Sequence, residues 1–193
     1  MQLCRMRKLS LPIAALISLA IIAVTATVLY MYGRALICPC GFVKLFWWGP
    51  RGDLQESQHL LDIYSATHAL HGILLYFVIW LIGRGRVPAA VGLIVAMLLE
   101  SGWELWENSN SIIDRYNKAG VVYAGDSIIN SVGDLLMMML GFLIAATAPA
   151  WVSVLILIAT EVGLALLIRD NLLLNIINLI HPIDWISKWQ ELR

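Results

Sequence analysis

The sequence predicts an all-α protein, a polytopic membrane helix bundle of about five transmembrane helices with a C-terminal interfacial helix. Three observations carry this. Of 193 residues, 60% are hydrophobic and only 13% charged, with mean hydropathy +0.80, whereas a soluble domain carries about 25% charge. Several apolar runs reach the roughly 20 helical residues that a bilayer crossing takes. Between those runs sit short breaks rich in Gly, Pro or Arg, such as GRGRVP at 83–88, which punctuate helices. No soluble domain fits between the spans, so residues 1–193 read as a single membrane domain. Thirteen basic and thirteen acidic residues cancel. That balance gives no electrostatic footprint for nucleic acid and leaves the lipid bilayer as the implied partner.

Arg5, Arg7 and Lys8 precede an uncharged stretch from Leu9 to Gly33. That stretch exceeds the 7–15 apolar residues of a signal-peptide core, so it reads as a retained first span with its N-terminus in the cytoplasm. Residues 34–63 form an outer loop broken by Gly41, Gly49, Pro50 and Gly52, with Phe46, Trp47 and Trp48 placed to rest among lipid headgroups. The second span runs from about Tyr64 to Ile82 and stops at Arg84 and Arg86. The third starts near Pro88, a residue suited to a helix start, and runs to about Trp106. A fourth from about Asp126 to Thr147 ends at the Pro149 turn, and a fifth follows from about Trp151 to Ile168. Residues 171–193 form an amphipathic interfacial tail, because NLLLNIINLI at 171–180 is too short to span and repeats Asn171, Asn175 and Asn178 at helical spacing.

Ionisable groups within membrane-grade helices mark functional sites by default, because their burial is costly. Here they fall at one level. His68 and His71 in HALH share a face of the second span, roughly 6–11 Å from its outer end at 1.5 Å per residue. Glu100 and Glu104 sit at a comparable depth in the third span, and Asn130 and Asp134 in the fourth. Imidazole and carboxylate together suit zinc, manganese or iron, with an open position activating water. The metal candidates are therefore His68, His71, Glu100 and Glu104. The catalytic candidates are Glu104, Glu100 and Asp134 as acids or bases, with Asn130 orienting substrate or water. Two alternatives stand beside this: metal-free acid–base chemistry, and a polar core that only fixes helix register. Asp126 is either a helix cap or a further site residue. His59 reads as surface polar, and Asp114 and Arg115 as part of a solvated turn. Cys38 and Cys40 sit in CPCG, and Cys4 stands alone. A bridge would close a tight ring around Pro39, so the spacing favours two cysteines in a rigid loop over a redox or metal pair.

CPCG at 38–41, SQHLLDIYSATHALHG at 57–72, ENSNSIIDRY at 107–116 and GDSIINSVGD at 125–134 resemble an uncharacterised family of bacterial multi-pass inner-membrane proteins, domain of unknown function family 2585. The likeness runs from Cys38 to Trp151. It implies a bacterial inner-membrane location and no established activity. Asp126, Asn130 and Gly133, followed by Gly141, also resemble the D-x-x-x-N-x-x-G pattern of VanZ-like proteins. Two classes of function follow from the residues. One is an outward-facing His/carboxylate pocket acting on an envelope lipid or lipid-linked substrate. The other is a non-catalytic assembly factor or small transporter whose polar core is structural. The inner halves of the spans hold few polar residues, which favours a pocket over a through-pathway.

Overall fold

The computed structural model describes residues 11–49, 52–118, 123–181 and 183–191. The basic flank Arg5, Arg7 and Lys8, together with Cys4, Pro50 and Arg51, lies outside the described residues. Among the described residues eight helices follow in order: α1 Leu11–Met31, α2 Ser65–Ile82, α3 Ala89–Glu107, α4 Asn110–Lys118, α5 Ile128–Thr147, α6 Ala150–Ile168, α7 Leu172–Ile180 and α8 Asp184–Glu191. Five of them, α1, α2, α3, α5 and α6, are long and apolar enough to cross a membrane. Pro88 and Pro149 stand immediately before α3 and α6 with φ of −58° and −61°, near the angle a proline ring imposes. Arg84 and Gly85 take positive φ in the turn between α2 and α3.

The bundle is organised on α2 against α5, and small residues set their separation. A Cβ on Gly72 would run into the Met138 carbonyl and the Phe142 amide, and one on Gly141 into the Ala69 carbonyl. Close backbone approach of this kind is how membrane helices gain packing without a hydrophobic driving force. Gly133 meets the Leu60 carbonyl in the same way. Gly133 and Gly141, part of the spacing that resembles VanZ-like proteins, thus have packing reasons of their own. Below the polar level, Ala96, Met97, Met138 and Phe142 are at most 1% exposed and pack together between α3 and α5, while Leu70 and Ile73 of α2 pack with Ala145 and Leu172.

The described residues between α1 and α2 fold back over the bundle's end. The first N–H groups of a helix have no partner within it, and here Ile128 and Ile129 donate to the carbonyls of Ala35 and Leu36 at 2.8 and 3.2 Å. The Gln58 amide reaches the Gly125 carbonyl at 2.9 Å. The loop is held to itself by Trp47, Leu60 and Leu61 donating to Leu61, Lys44 and Leu45. Three expectations are corrected here. Trp47 is buried, while Phe46 and Trp48 remain exposed, so the aromatic run splits between core and surface. His59 is 0% exposed: its Nδ1 accepts the Lys44 N–H at 3.2 Å and its Nε2 pairs with Gln55 at 3.2 Å. Cys38 and Cys40 form a disulfide. The turn explains why a ring around Pro39 is accessible, since Gly41 donates to the Cys38 carbonyl at 3.0 Å. That turn holds the two Cα atoms 5.1 Å apart, inside the range a bridge spans.

The tail also differs from a plain surface helix. Asn171 is the cap of α7, accepting the Leu174 N–H at 2.8 Å, so it belongs to no stripe. Glu161 of α6 receives the N–H groups of Leu172 and Leu173 at 3.0 and 3.2 Å, seating the start of α7 on α6. From α8, Gln190 donates to Asp170 and accepts from Asn178, both at 2.9 Å. The segment after Glu107, expected as a solvated turn, folds as α4. Asp114 and Arg115 are exposed on it.

Candidate functional site

The site stands where α2, α3 and α5 meet at the loop-covered end. His68 and His71 are one helical turn apart on α2, which directs both rings at α3. His68 Nδ1 lies 2.7 Å from Glu100 Oε1, and His71 Nδ1 lies 2.9 and 3.1 Å from the two oxygens of the same carboxylate. Glu104, one turn further along α3, brings Oε1 to 3.4 Å from His68 Nδ1, and Asp134 of α5 brings Oδ2 to 3.9 Å from His68 Nε2. Glu104, Glu100, Asp134 and His68 are 0, 2, 4 and 7% exposed. The expected residues His68, His71, Glu100 and Glu104 thus form one cluster, with Asp134 at its edge. Asn130 lies at the same level but its amide donates to the His59 carbonyl at 2.9 Å, which ties α5 to the loop and turns the side chain away from the cluster.

Hydrogen bonding is uneven within the cluster. Glu100 takes both histidines, whereas Glu104 Oε1, Glu104 Oε2 and Asp134 Oδ1 are buried without a hydrogen-bond partner. A buried carboxylate oxygen left this way is expensive. Three carboxyl groups face two imidazoles, so with all three ionised even two imidazolium rings would leave one negative charge unbalanced. The ligating atoms of His68, His71 and Glu100 lie within 4.8 Å of one another, as do those of His68, Glu104 and Asp134. Both sets are compact enough for one ion. Trp103 stands edge-on to the His71 ring at 5.6 Å and walls off one side.

Above the cluster a second polar layer completes the site. Asn108, fully buried at the end of α3, donates to Asp126 Oδ2 at 2.8 Å and accepts the Asp126 N–H at 2.7 Å. Tyr123 donates to Asp126 Oδ1 at 2.8 Å. The cap of α5 is Ser127, whose hydroxyl accepts the Asn130 N–H, so Asp126 is free to face the site. Burial pushes the Asp126 carboxyl above its ordinary range, against the pull of Asn108 and Tyr123. Burial and the nearby Asp126 carboxylate push the Tyr123 phenol well up, so it is an O–H donor at neutral pH. The sequence offered no signal for Tyr123 or Asn108, because their roles depend on how the 108–126 segment doubles back.

These layers open into a cleft of about 840 Å³ including its mouth. It is lined by His68, His71 and Asp134 of the cluster, by Tyr123 and Asp126 of the upper layer, and by Leu172, Ile176 and Leu179 of α7. A sequence reading places α7 in the interface but cannot say that it folds over this site.

A family model described as protein of unknown function (DUF2585) matches residues 29–192. The UPF0314 protein of Agrobacterium fabrum is 48% identical over 85% of this chain and 83% of its own length. Those of Brucella anthropi and Paracoccus denitrificans are 45% and 42% identical, covering 93% and 88% of this chain and 91% and 88% of their own. No solved structure matches the chain.

Proposed function

The chain belongs to the DUF2585 family of proteins of unknown function, and we propose that it is an inner-membrane enzyme whose outward-facing His/carboxylate pocket binds a divalent metal and acts on an envelope lipid or lipid-linked substrate. The observation that carries this is the excess of buried carboxyl groups over imidazoles in the cluster. Orphaned oxygens on Glu104 and Asp134 beside two imidazoles call for a cation, and His with carboxylate suits zinc, manganese or iron. His68, His71, Glu100 and Glu104 would hold it. Such an ion would supply a water of lowered pKa or polarise an ester or phosphoester oxygen. Within the chain, Glu100 fixes the orientation of both rings. Asp134 stands where a proton can be taken and returned, and the Tyr123 hydroxyl and Asp126 border the approach. An acyl chain would lie along Leu172, Ile176 and Leu179 with its polar head at the cluster.

A transporter is less well supported, since Ala96, Met97, Met138 and Phe142 close the bundle below the site. The orientation is supported by the Cys38–Cys40 bridge, which belongs in an oxidising compartment, on the site's side of the bundle, and by Arg84 and Arg86 in the turn at the other end of α2. Metal analysis of the detergent-purified protein is expected to find a stoichiometric divalent ion, and a metal-free protein that also ignores added zinc, manganese and ferrous iron would end this reading. Reporters fused after Arg86 and after Arg193 are expected in the cytoplasm and periplasm respectively. The same compartment for both would break the five-span arrangement.

A further inference from the structure

A second chemical site lies in the loop that covers the bundle, away from the cleft. Cys38 and Cys40 are bridged in the turn CPCG, and the two sulfurs differ in their surroundings. Cys38 is 2% exposed, while Cys40 is at the surface. The Cys40 backbone N–H points at Cys38 Sγ from 3.2 Å. A His59 nitrogen lies within 4.8 Å of both sulfurs, but both ring nitrogens already make hydrogen bonds, so the imidazole is an inert wall in this arrangement. Ile37, Phe42 and Val43, 42, 48 and 40% exposed, flank the bridge in sequence. An exposed bridge is the labile kind, whereas structural bridges are shielded. A bridge across a single intervening residue also closes a loop too small to constrain the unfolded chain strongly, which weakens a purely stabilising role.

We propose that Cys38 and Cys40 form a redox-active pair that exchanges with the dithiol of another protein, independently of the metal cluster. A partner thiolate attacks the accessible Cys40 Sγ. The Cys38–Cys40 bond breaks, and its electron pair passes to Cys38 Sγ, where the Cys40 N–H receives the thiolate. The partner's second thiolate then attacks its own sulfur in the mixed disulfide and expels Cys40 as the thiolate. The two protons given up by the partner's thiols end on Cys38 and Cys40. The partner's dithiol has been oxidised to a disulfide and the pair reduced to a dithiol. The exposed apolar neighbours suit an extended peptide segment as the carrier of that dithiol.

The test uses the full-length detergent-purified protein. Millimolar glutathione is expected to reduce the bridge in the folded state, and the oxidised protein is expected to convert a cysteine-pair peptide to its disulfide, one peptide per chain. Cys38→Ser, mixed with oxidised glutathione, is expected to trap glutathione on Cys40. Cys40→Ser should react at least about tenfold more slowly, because access governs exchange. A wild-type bridge that yields to glutathione only after denaturation would overturn the proposal without recourse to either variant. Equal reactivity of the two variants would overturn it as well.

Discussion

Gly141→Ala is expected to lower the midpoint of thermal unfolding in detergent by roughly 6–12 °C, the equivalent of about 3 kcal/mol for a chain of this size. The added methyl would collide with the Ala69 carbonyl. A carbonyl is part of the helix and cannot swing aside as a side-chain tip can, so α2 and α5 must separate. Gly72→Ala should do the same from the other helix, against Met138 and Phe142. Separation costs packing along the whole interface, and it costs the site too, because α2 carries His68 and His71 while α5 carries Asp134. Gly102→Ala and Gly163→Ala are the controls. A Cβ at either position meets nothing within 4 Å, and alanine is the better helix former by up to about 1 kcal/mol, so both are expected to be neutral or mildly stabilising. If Gly141→Ala unfolds no earlier than these controls, close packing of α2 on α5 is wrong.

These glycines show what a sequence carries and what it withholds. The spans were legible because length and hydropathy are local properties, and every expected span is a helix whose ends, where they fall among the described residues, lie within about two residues, the usual uncertainty of helix boundaries. The cluster was legible for a related reason. Depth along a helix can be counted, so His68, Glu100, Glu104 and Asp134 could be placed at one level before any contact was known. Rotation about a helix axis is harder to count, and Asn130 is the instance: its level is right, but its amide serves the loop. The irregular segments were least legible. His59 is buried because Leu60 and Leu61 pair with a strand-like run sixteen residues earlier, and Asp126 yields the cap to Ser127 because Asn108 holds it by two hydrogen bonds. The disulfide depends on a turn geometry that the CPCG spacing leaves open.

Glu104→Gln is expected to abolish the response to metal while making the metal-free protein more stable. Glu104 is fully buried and neither of its oxygens accepts a hydrogen bond. Without a cation it is a buried carboxylate whose oxygens lack hydrogen-bond partners, and a neutral amide of the same shape is cheaper to bury. The gain should be about 1–3 kcal/mol, the scale of an unsatisfied buried polar group. With metal present the order reverses. An ion at one hundred times its Kd stabilises the wild type by about 2.7 kcal/mol, and the Gln variant, lacking the charge, should gain little. Glu100→Gln supplies the contrast. Glu100 receives both His68 and His71, so its loss strands two imidazoles and should destabilise the protein with or without metal. Glu104→Leu removes the polar group altogether. His68 keeps its 2.7 Å bond to Glu100, so Leu should be tolerated in metal-free protein nearly as well as Gln. If zinc, manganese and ferrous iron leave wild type and Glu104→Gln equally unmoved, the cluster is a polar core. Glu104→Gln and Glu104→Leu would then be expected to match or exceed the wild-type midpoint under every condition.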